Sequence, residues 1–248
     1  MRLMINRAMV AGGRKLSAVK KQLVQMAKPG VKLSEIEKEA QFLIKAVGGK
    51  PSFATVPGYF WATCINLNEG LVHGVPDETA IKDGDIVSID VGIYYQGYHT
   101  DTSISFIAGS GHYPAHEKFL AAGKEALKKG IAAATVGNRI GHISLAIEEV
   151  VKTAGYSPAL NLTGHGVGRQ LHEEPTIPCF VAKPISQTPP IKPGMTLAVE
   201  AIYLAGRPET VTDPDDHWTI SSKDGKITAV FEETILTTPK TPVILTNV

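Results

Sequence analysis

The stretch Asp85-Ile86-Val87-Ser88-Ile89-Asp90-Val91-Gly92-Ile93-Tyr94-Tyr95-Gln96-Gly97-Tyr98-His99-Thr100-Asp101-Thr102-Ser103-Ile104-Ser105-Phe106-Ile107 decides how the rest of this chain is read. Two runs rich in β-branched and aromatic residues flank Gln96-Gly97, which predicts a hairpin of Asp85–Tyr95 with Tyr98–Ile107. With that turn Tyr95 faces Tyr98 and Gly92 faces Asp101. Asp90 shares a face with Gly92, because alternate residues of a strand point the same way. Asp90 and Asp101 are then diagonal neighbours, roughly 7–8 Å apart between backbones. Two such carboxylates repel and resist ionisation unless a cation lies between them. Gly92, with no side chain, is expected to leave that space open. Ile86, Val87, Ile89, Val91, Ile104 and Phe106 around them are apolar, and an acid buried among such residues is costly unless paired or metal-bound. On the hairpin alone a second reading stands beside this one: the face meets solvent, and both aspartates merely aid solubility.

Around the hairpin the pattern is α+β. Apolar residues recur at helical spacing from Met9 to Met26 (Val10, Val19, Leu23), and Pro29-Gly30 stops them. Ser34 with Glu37 reads as a capping box for a helix carrying Ile36, Ala40, Leu43 and Ile44, closed by Gly48-Gly49. Pro57 to Asn66 reads as an irregular strand. The second half repeats the order: a helix from Pro114 to about Ala133, another from about Ile143 to Thr153, then strands near Leu160–Thr163, Met195–Ala205 and Ile227–Thr237. Two helices then three strands, twice, predicts two halves of like architecture without matching sequence. Pro178–Pro193 reads as a surface connection. No low-complexity linker divides the chain, so residues 1–248 are expected to form one catalytic domain.

The 248 residues carry 25 Lys+Arg and 24 Asp+Glu, a formal charge of +1, with 43% hydrophobic residues and a mean hydropathy of +0.02. That balance excludes a disordered tail protein and gives no reason to expect a nucleic-acid or anionic-lipid partner. Cys64 and Cys179 support neither a disulfide framework nor a four-ligand zinc site, and read as small buried thiols. Met1 to Arg14 holds no apolar core for export, and no stretch approaches the ~18 apolar residues of a membrane span. A cytoplasmic chain without a membrane partner is expected.

Two further acids interrupt apolar strands: Glu200 in Thr196-Leu197-Ala198-Val199-Glu200-Ala201-Ile202, and Glu232 in Ala229-Val230-Phe231-Glu232-Glu233-Thr234-Ile235. If those strands share a sheet with the hairpin, four carboxylates converge. Thr163-Gly164-His165-Gly166-Val167-Gly168-Arg169-Gln170-Leu171-His172-Glu173-Glu174-Pro175 adds His165 as a nitrogen donor, with glycines that let the backbone approach a bound object. Oxygen-rich ligation with one imidazole suits Mn, Fe(II), Co or Zn. A pair of such ions activates water and polarises a carbonyl, so metal-assisted hydrolysis is the reaction class indicated. No Gly-x-Ser-x-Gly elbow or P-loop spacing competes with it.

These motifs resemble those of the methionine aminopeptidases, in particular the short type I form. The matching segments are Asn68-Glu69-Gly70-Leu71-Val72-His73-Gly74-Val75-Pro76, Lys82 to Val91, Gly97-Tyr98-His99-Thr100-Asp101-Thr102, Gly164 to Arg169 with His172-Glu173-Glu174-Pro175, Gly194-Met195-Thr196 leading to Glu200, and Phe231-Glu232. The resemblance implies a pita-bread fold, with pseudo-two-fold halves of two helices plus antiparallel strands around a dinuclear metal site. It implies Asp90, Asp101, His165, Glu200 and Glu232 as ligands of two divalent ions, with Asp101 and Glu232 bridging them. It implies Glu200 as general base on the attacking water, His172 as the group holding the scissile carbonyl, and His73 as orienting the substrate amide. Tyr59, Cys64, Leu171 and Trp218 are candidates for the methionine pocket, with plain core packing the alternative for each. The implied activity is methionyl aminopeptidase, a metal-dependent hydrolase acting on nascent polypeptide N-termini. A monomer is expected, and ribosome contact follows from the resemblance alone. Ala201 and Glu233 stand where many members have Pro and His, and Glu233 is expected to add acid beside the site. Xaa-Pro peptidases share the ligand set, so an Xaa-Pro dipeptidase or aminopeptidase is the alternative enzyme, and a non-catalytic pita-bread binding module is the alternative of another class.

Overall fold

Strands Ile86–Tyr95 and Tyr98–Ile107 pair in the register expected from the sequence, with Tyr95 opposite Tyr98 and Gly92 opposite Asp101. Both central turn residues have positive φ, 49° at Gln96 and 88° at Gly97, as a tight two-residue hairpin requires. A computed structural model describes residues 2–247. The first half comprises α1 (Arg2–Met26), α2 (Leu33–Ala46), β1 (Lys50–Pro51), β2 (Thr63–Leu67), β3 (Gly70–Val72), β4 (Ile86–Tyr95) and β5 (Tyr98–Ile107). The second comprises α3 (Pro114–Ala133), α4 (Ile140–Thr153), β6 (Ser157–Pro158), β7 (Thr163–Gly166), β8 (Glu173–Pro178), β9 (Thr196–Leu204), β10 (Thr210–Thr212), β11 (Ile220–Ser222), β12 (Thr228–Leu236) and β13 (Val243–Ile244). The order of two helices then antiparallel strands thus recurs, but each half has more strands than the three read from the pattern, because β1, β3, β6, β10, β11 and β13 are only two or three residues long and too short for an alternating pattern to show.

Each half buries an apolar helix face against its own strands. Leu16, Val19 and Leu23 of α1 and Ile36, Ala40 and Ile44 of α2 pack with Val87, Ile89 and Val91 of β4. Phe119 and Ala126 of α3 and Ile143 and Ile147 of α4 pack with Val199 and Tyr203 of β9 and Phe231 of β12. The halves fuse through a ten-stranded sheet whose main path runs β1-β4-β5-β12-β9-β7-β8, while β10, β11 and β3 form a separate small sheet.

Some local expectations are corrected. α2 starts one residue before Ser34, and the carboxylate that caps it is Glu35, which accepts the Lys32 N–H at 2.9 Å. Glu37 is buried instead and accepts the N–H groups of Ala62 (2.7 Å) and Thr63 (3.0 Å), tying α2 to the segment that enters β2. The strand expected from Pro57 begins at Thr63, because a 3-10 turn at Phe53–Thr55 and an irregular segment precede it. The strand expected at Leu160–Thr163 lies at Thr163–Gly166, and α4 begins at Ile140, earlier than read. Gly92 does not leave open space: a Cβ there would lie 2.7 Å from the Ser52 Cβ and 3.0 Å from the Phe53 ring, so the glycine admits that turn against the hairpin.

Candidate metal centre and substrate cavity

Register alone gathers the acids. Asp90 on β4 faces Ser103 on β5, Ser103 faces Glu232 on β12, and Glu232 faces Glu200 on β9. Paired residues share a face, so Asp90, Glu232 and Glu200 form one row across four strands. Two residues along, Asp101 lies on the same face of β5, and His165 of β7 faces Ala198, two residues from Glu200. All five therefore stand on one face of the sheet although they come from five strands.

The resulting cluster is tight and desolvated. One ligand-capable atom each from Asp101, His165 and Glu232 lie within 4.8 Å of one another. His165 Nε2 is 3.6 Å from Glu200 Oε1, while its Nδ1 lies 2.8 Å from the Gly166 carbonyl. With the ring proton donated to that carbonyl, Nε2 presents its lone pair to the acids. Burial raises the Asp90 carboxyl from 3.8 to about 7. Burial, followed by the neighbouring acids, pushes Asp101, Glu200 and Glu232 well above the usual carboxylate range. Burial together with nearby His172 lowers His165 to about 4, so this ring is neutral near pH 7. Asp90 Oδ1 and Glu232 Oε1 are buried without a hydrogen-bond partner among the described residues. Such orphaned acceptors are expensive, and a divalent cation is the kind of group that satisfies them. The donor set fits the cation chemistry read from the sequence.

Beside the acids opens a cavity of about 940 Å³, whose lining includes Asp90, Asp101, His165, Glu200, Glu232, His73, His172, Tyr59, Cys64, Leu171 and Trp218. The structure thus brings together every site residue that the sequence singled out. Cys64 faces Asp90 across β2 and β4, so the apolar end of the cavity begins directly at the acidic row. Phe53, Tyr59, Cys64 and Leu171 form a buried cluster there, with Val56 and Trp218 packed against it. The Tyr59 ring meets Trp218 edge-on at 5.1 Å. Its hydroxyl donates to the Thr63 carbonyl at 2.8 Å, so the polar end is tied into the chain. Burial raises both the Tyr59 phenol and the Cys64 thiol, and both stay protonated near neutral pH. Phe53 and Val56 were not among the candidates; the aromatic density of Phe53, Tyr59, Phe60 and Trp61 was the available signal.

The two remaining histidines are held by irregular backbone. His73 follows β3 with φ 58°, an uncommon conformation for a side-chain-bearing residue that turns it out of the small sheet. The His172 ring lies edge-on to His165 at 4.5 Å. Burial lowers both His73 and His172, with the nearby His172 adding to the effect at His73. The glycines around His165 serve a different purpose from the one read: a Cβ at Gly164 would meet the Ala198 carbonyl at 2.5 Å, and one at Gly166 the Glu174 carbonyl at 2.4 Å. They let neighbouring strands close on β7 rather than admit a bound object. Glu233 does add acid beside the site, since after burial and the other acids its charge helps to raise Glu232, and it is paired on the far face of the sheet, where Lys20 Nζ of α1 lies 2.9 Å from its Oε1.

Known proteins are similar to this chain in sequence and architecture. The family model described as metallopeptidase family M24 matches residues 7–239. The methionine aminopeptidase of Aquifex aeolicus is 40% identical over 232 residues, covering 91% of this chain and 89% of that protein. Methionine aminopeptidase 1 of Bacillus subtilis is 39% identical over 236 residues, covering 95% and 94%. The crystal structure of methionine aminopeptidase from Thermotoga maritima superposes with a TM-score of 0.94 at 33% identity, covering 99% of this chain and 97% of that one. Prolidase from Pyrococcus furiosus superposes at 0.77 with 23% identity over 99% of this chain and 64% of its own, a likeness of fold alone.

Proposed function

This chain belongs to the methionine aminopeptidases of metallopeptidase family M24 and has their pita-bread fold, and from that premise we propose how its residues remove the N-terminal methionine from polypeptides. It is a divalent-metal-dependent hydrolase, and Asp90, Asp101, His165, Glu200 and Glu232 are its ligands in this reading. Two ions are favoured over one, because the four carboxylates, once their protons are displaced, would carry four negative charges that two divalent cations balance. Mn, Fe(II), Co and Zn all suit the donors. When bound, the ions supply water activation and carbonyl polarisation at neutral pH.

The protein's own groups do the rest. Glu200 accepts the proton of the attacking water and passes it on to the leaving amine. His172, neutral because burial lowers it, donates a ring N–H to the scissile carbonyl oxygen as negative charge develops there. His73 orients the substrate amide across the cavity. Phe53, Tyr59, Cys64, Leu171 and Trp218 receive the methionine side chain, whose polarisable thioether packs well against aromatic and soft groups. The substrate's free amino group meets the acidic cluster, which limits the enzyme to the first residue. Nascent chains are its substrates, and the cytoplasm, where they are made, is its place of action.

The observation that carries this reading is the single row of Asp90, Glu232 and Glu200, with Asp101 and His165 beside it, opening on an apolar cavity. Release of free methionine from a Met-Ala-Ser peptide, lost in chelator and restored by Mn(II) or Co(II), is the expected result. No release with any divalent ion, or a preference for Ala-Pro over Met-Ala peptides, would contradict it.

A further inference from the structure

The two halves of the main sheet meet at β5 and β12, where direct pairing among the described residues is confined to Thr102 with Glu233 and Ser103 with Glu232. On either side, hydroxyls replace the backbone ladder. Ser105 Oγ donates to the Val230 carbonyl (2.8 Å) and accepts the Val230 N–H (3.0 Å). Thr234 Oγ1 donates to the Asp101 carbonyl (2.7 Å) and accepts the Asp101 N–H (2.9 Å). A hydroxyl has one hydrogen and two lone pairs, so each of these spans a gap that the backbones do not close themselves. Asp101 and Glu232 both hang from this splayed seam.

At its centre the bonding hinges on one hydrogen. Thr102 Oγ1 donates to the Glu232 carbonyl at 2.8 Å, with the Glu233 carboxylate a competing acceptor at 3.2 Å. Buried Lys20, reaching in from α1, donates to Thr102 Oγ1 at 2.7 Å and to Glu233 Oε1 at 2.9 Å. Thr246 Oγ1 donates to the other Glu233 oxygen. Lys20 thereby fills a lone pair of the threonine and neutralises the rival acceptor. Without it, the hydrogen turns to the charged carboxylate, the stronger acceptor, and leaves the Glu232 carbonyl.

We propose that Lys20 is a positioning residue for Asp101 and Glu232: through Thr102 and Glu233 it fixes the β5–β12 seam at the spacing the cation centre needs. The inference rests on the metal-centre reading above and adds a residue that touches neither ion nor substrate. It also gives the acid at 233 a purpose on the far side of the sheet from the cavity.

The test uses the full chain stripped of metal, with two readouts. Amide hydrogen exchange at Asp101–Ser103 and Glu232–Thr234 reads the seam without metal or peptide, and calorimetric titration with Mn(II) reads the ligands. Lys20→Met should speed seam exchange by about tenfold or more and weaken Mn(II) binding by about 10- to 100-fold. Adding Glu233→Gln in the same chain should recover both, since a neutral amide competes less for the Thr102 hydrogen. Thr102→Val, which keeps the ion pair and removes the hydroxyl, should reproduce the loss, and Thr102→Ser should not. This second pair decides the matter if Lys20→Met does not fold. Wild-type exchange and affinity in Lys20→Met or Thr102→Val would overturn the proposal. So would a loosened seam with unchanged affinity, which makes Lys20 structural only. An absence of peptidase activity in the wild type would count against the proposed function while leaving the exchange result to judge the seam.

Discussion

Glu232 lies directly opposite Glu200 across the β9–β12 ladder, two buried acids where a sheet ordinarily avoids like charges. Their burial, followed by the charges of the neighbouring acids, has a consequence for pH. The folded-state values of Asp90, Asp101, Glu200 and Glu232 are raised, so the metal-free fold binds more protons there than the unfolded chain does. The stability they contribute is present below the unfolded carboxylate range and is lost as pH rises through the folded values, from about 4 to about 7 for Asp90. The increase in Tm on adding Mn(II) to stripped protein should therefore be larger at pH 8 than at pH 5.5. Equal increases at both would contradict the raised values.

Proton release follows from the same groups. Near pH 7 the acids retain protons that a cation must displace, whereas His165, lowered to about 4, has none to give. Calorimetric binding enthalpies measured in buffers of different ionisation heat should show net proton release, reduced in Glu232→Gln. No buffer dependence would count against protonated acids in the free protein.

Replacing Glu200 by Gln removes the general base and one anionic ligand while keeping size and much of the packing. A fall in kcat on the order of 10³-fold is expected, with circular dichroism unchanged. A variant retaining a tenth of wild-type turnover would remove Glu200 from the proton-transfer role. His172→Ala should lower kcat by about 10²-fold with a smaller change in KM, because its N–H matters most as charge develops.

Gly92→Ala probes the wall of the cavity from behind. The added Cβ would meet Ser52 at 2.7 Å and press on Phe53, which lines the cavity. Overpacking of this kind costs about 1–3 kcal/mol, so Tm should fall and KM for Met-Ala-Ser should rise. An unchanged KM would show that Phe53 does not shape the methionine pocket.

Much of this architecture was legible in the sequence because it rests on local pattern. The Gln96-Gly97 turn set the hairpin register, and acids interrupting apolar strands marked Glu200 and Glu232. What has no local signal depends on distant chain. Lys20 meets Glu233 across 213 residues, so no spacing rule connects them, and Glu233 read as surplus acid. Glu35 and Glu37 each have an acid's ordinary uses, and only the approach of Ala62 and Thr63 decides which is buried. The strands β3, β10 and β11 are three residues long, too short for an alternating pattern to show, yet the segment after β3 carries His73 into the cavity.

The most direct test of the central claim is the stoichiometry of divalent-ion binding to the stripped chain, followed alongside methionine release. Two Mn(II) per chain are expected, with activity returning as they bind and with both lost in Asp101→Asn. A folded chain that releases methionine without binding any divalent ion, or whose ion binding survives Asp101→Asn unchanged, would contradict the account.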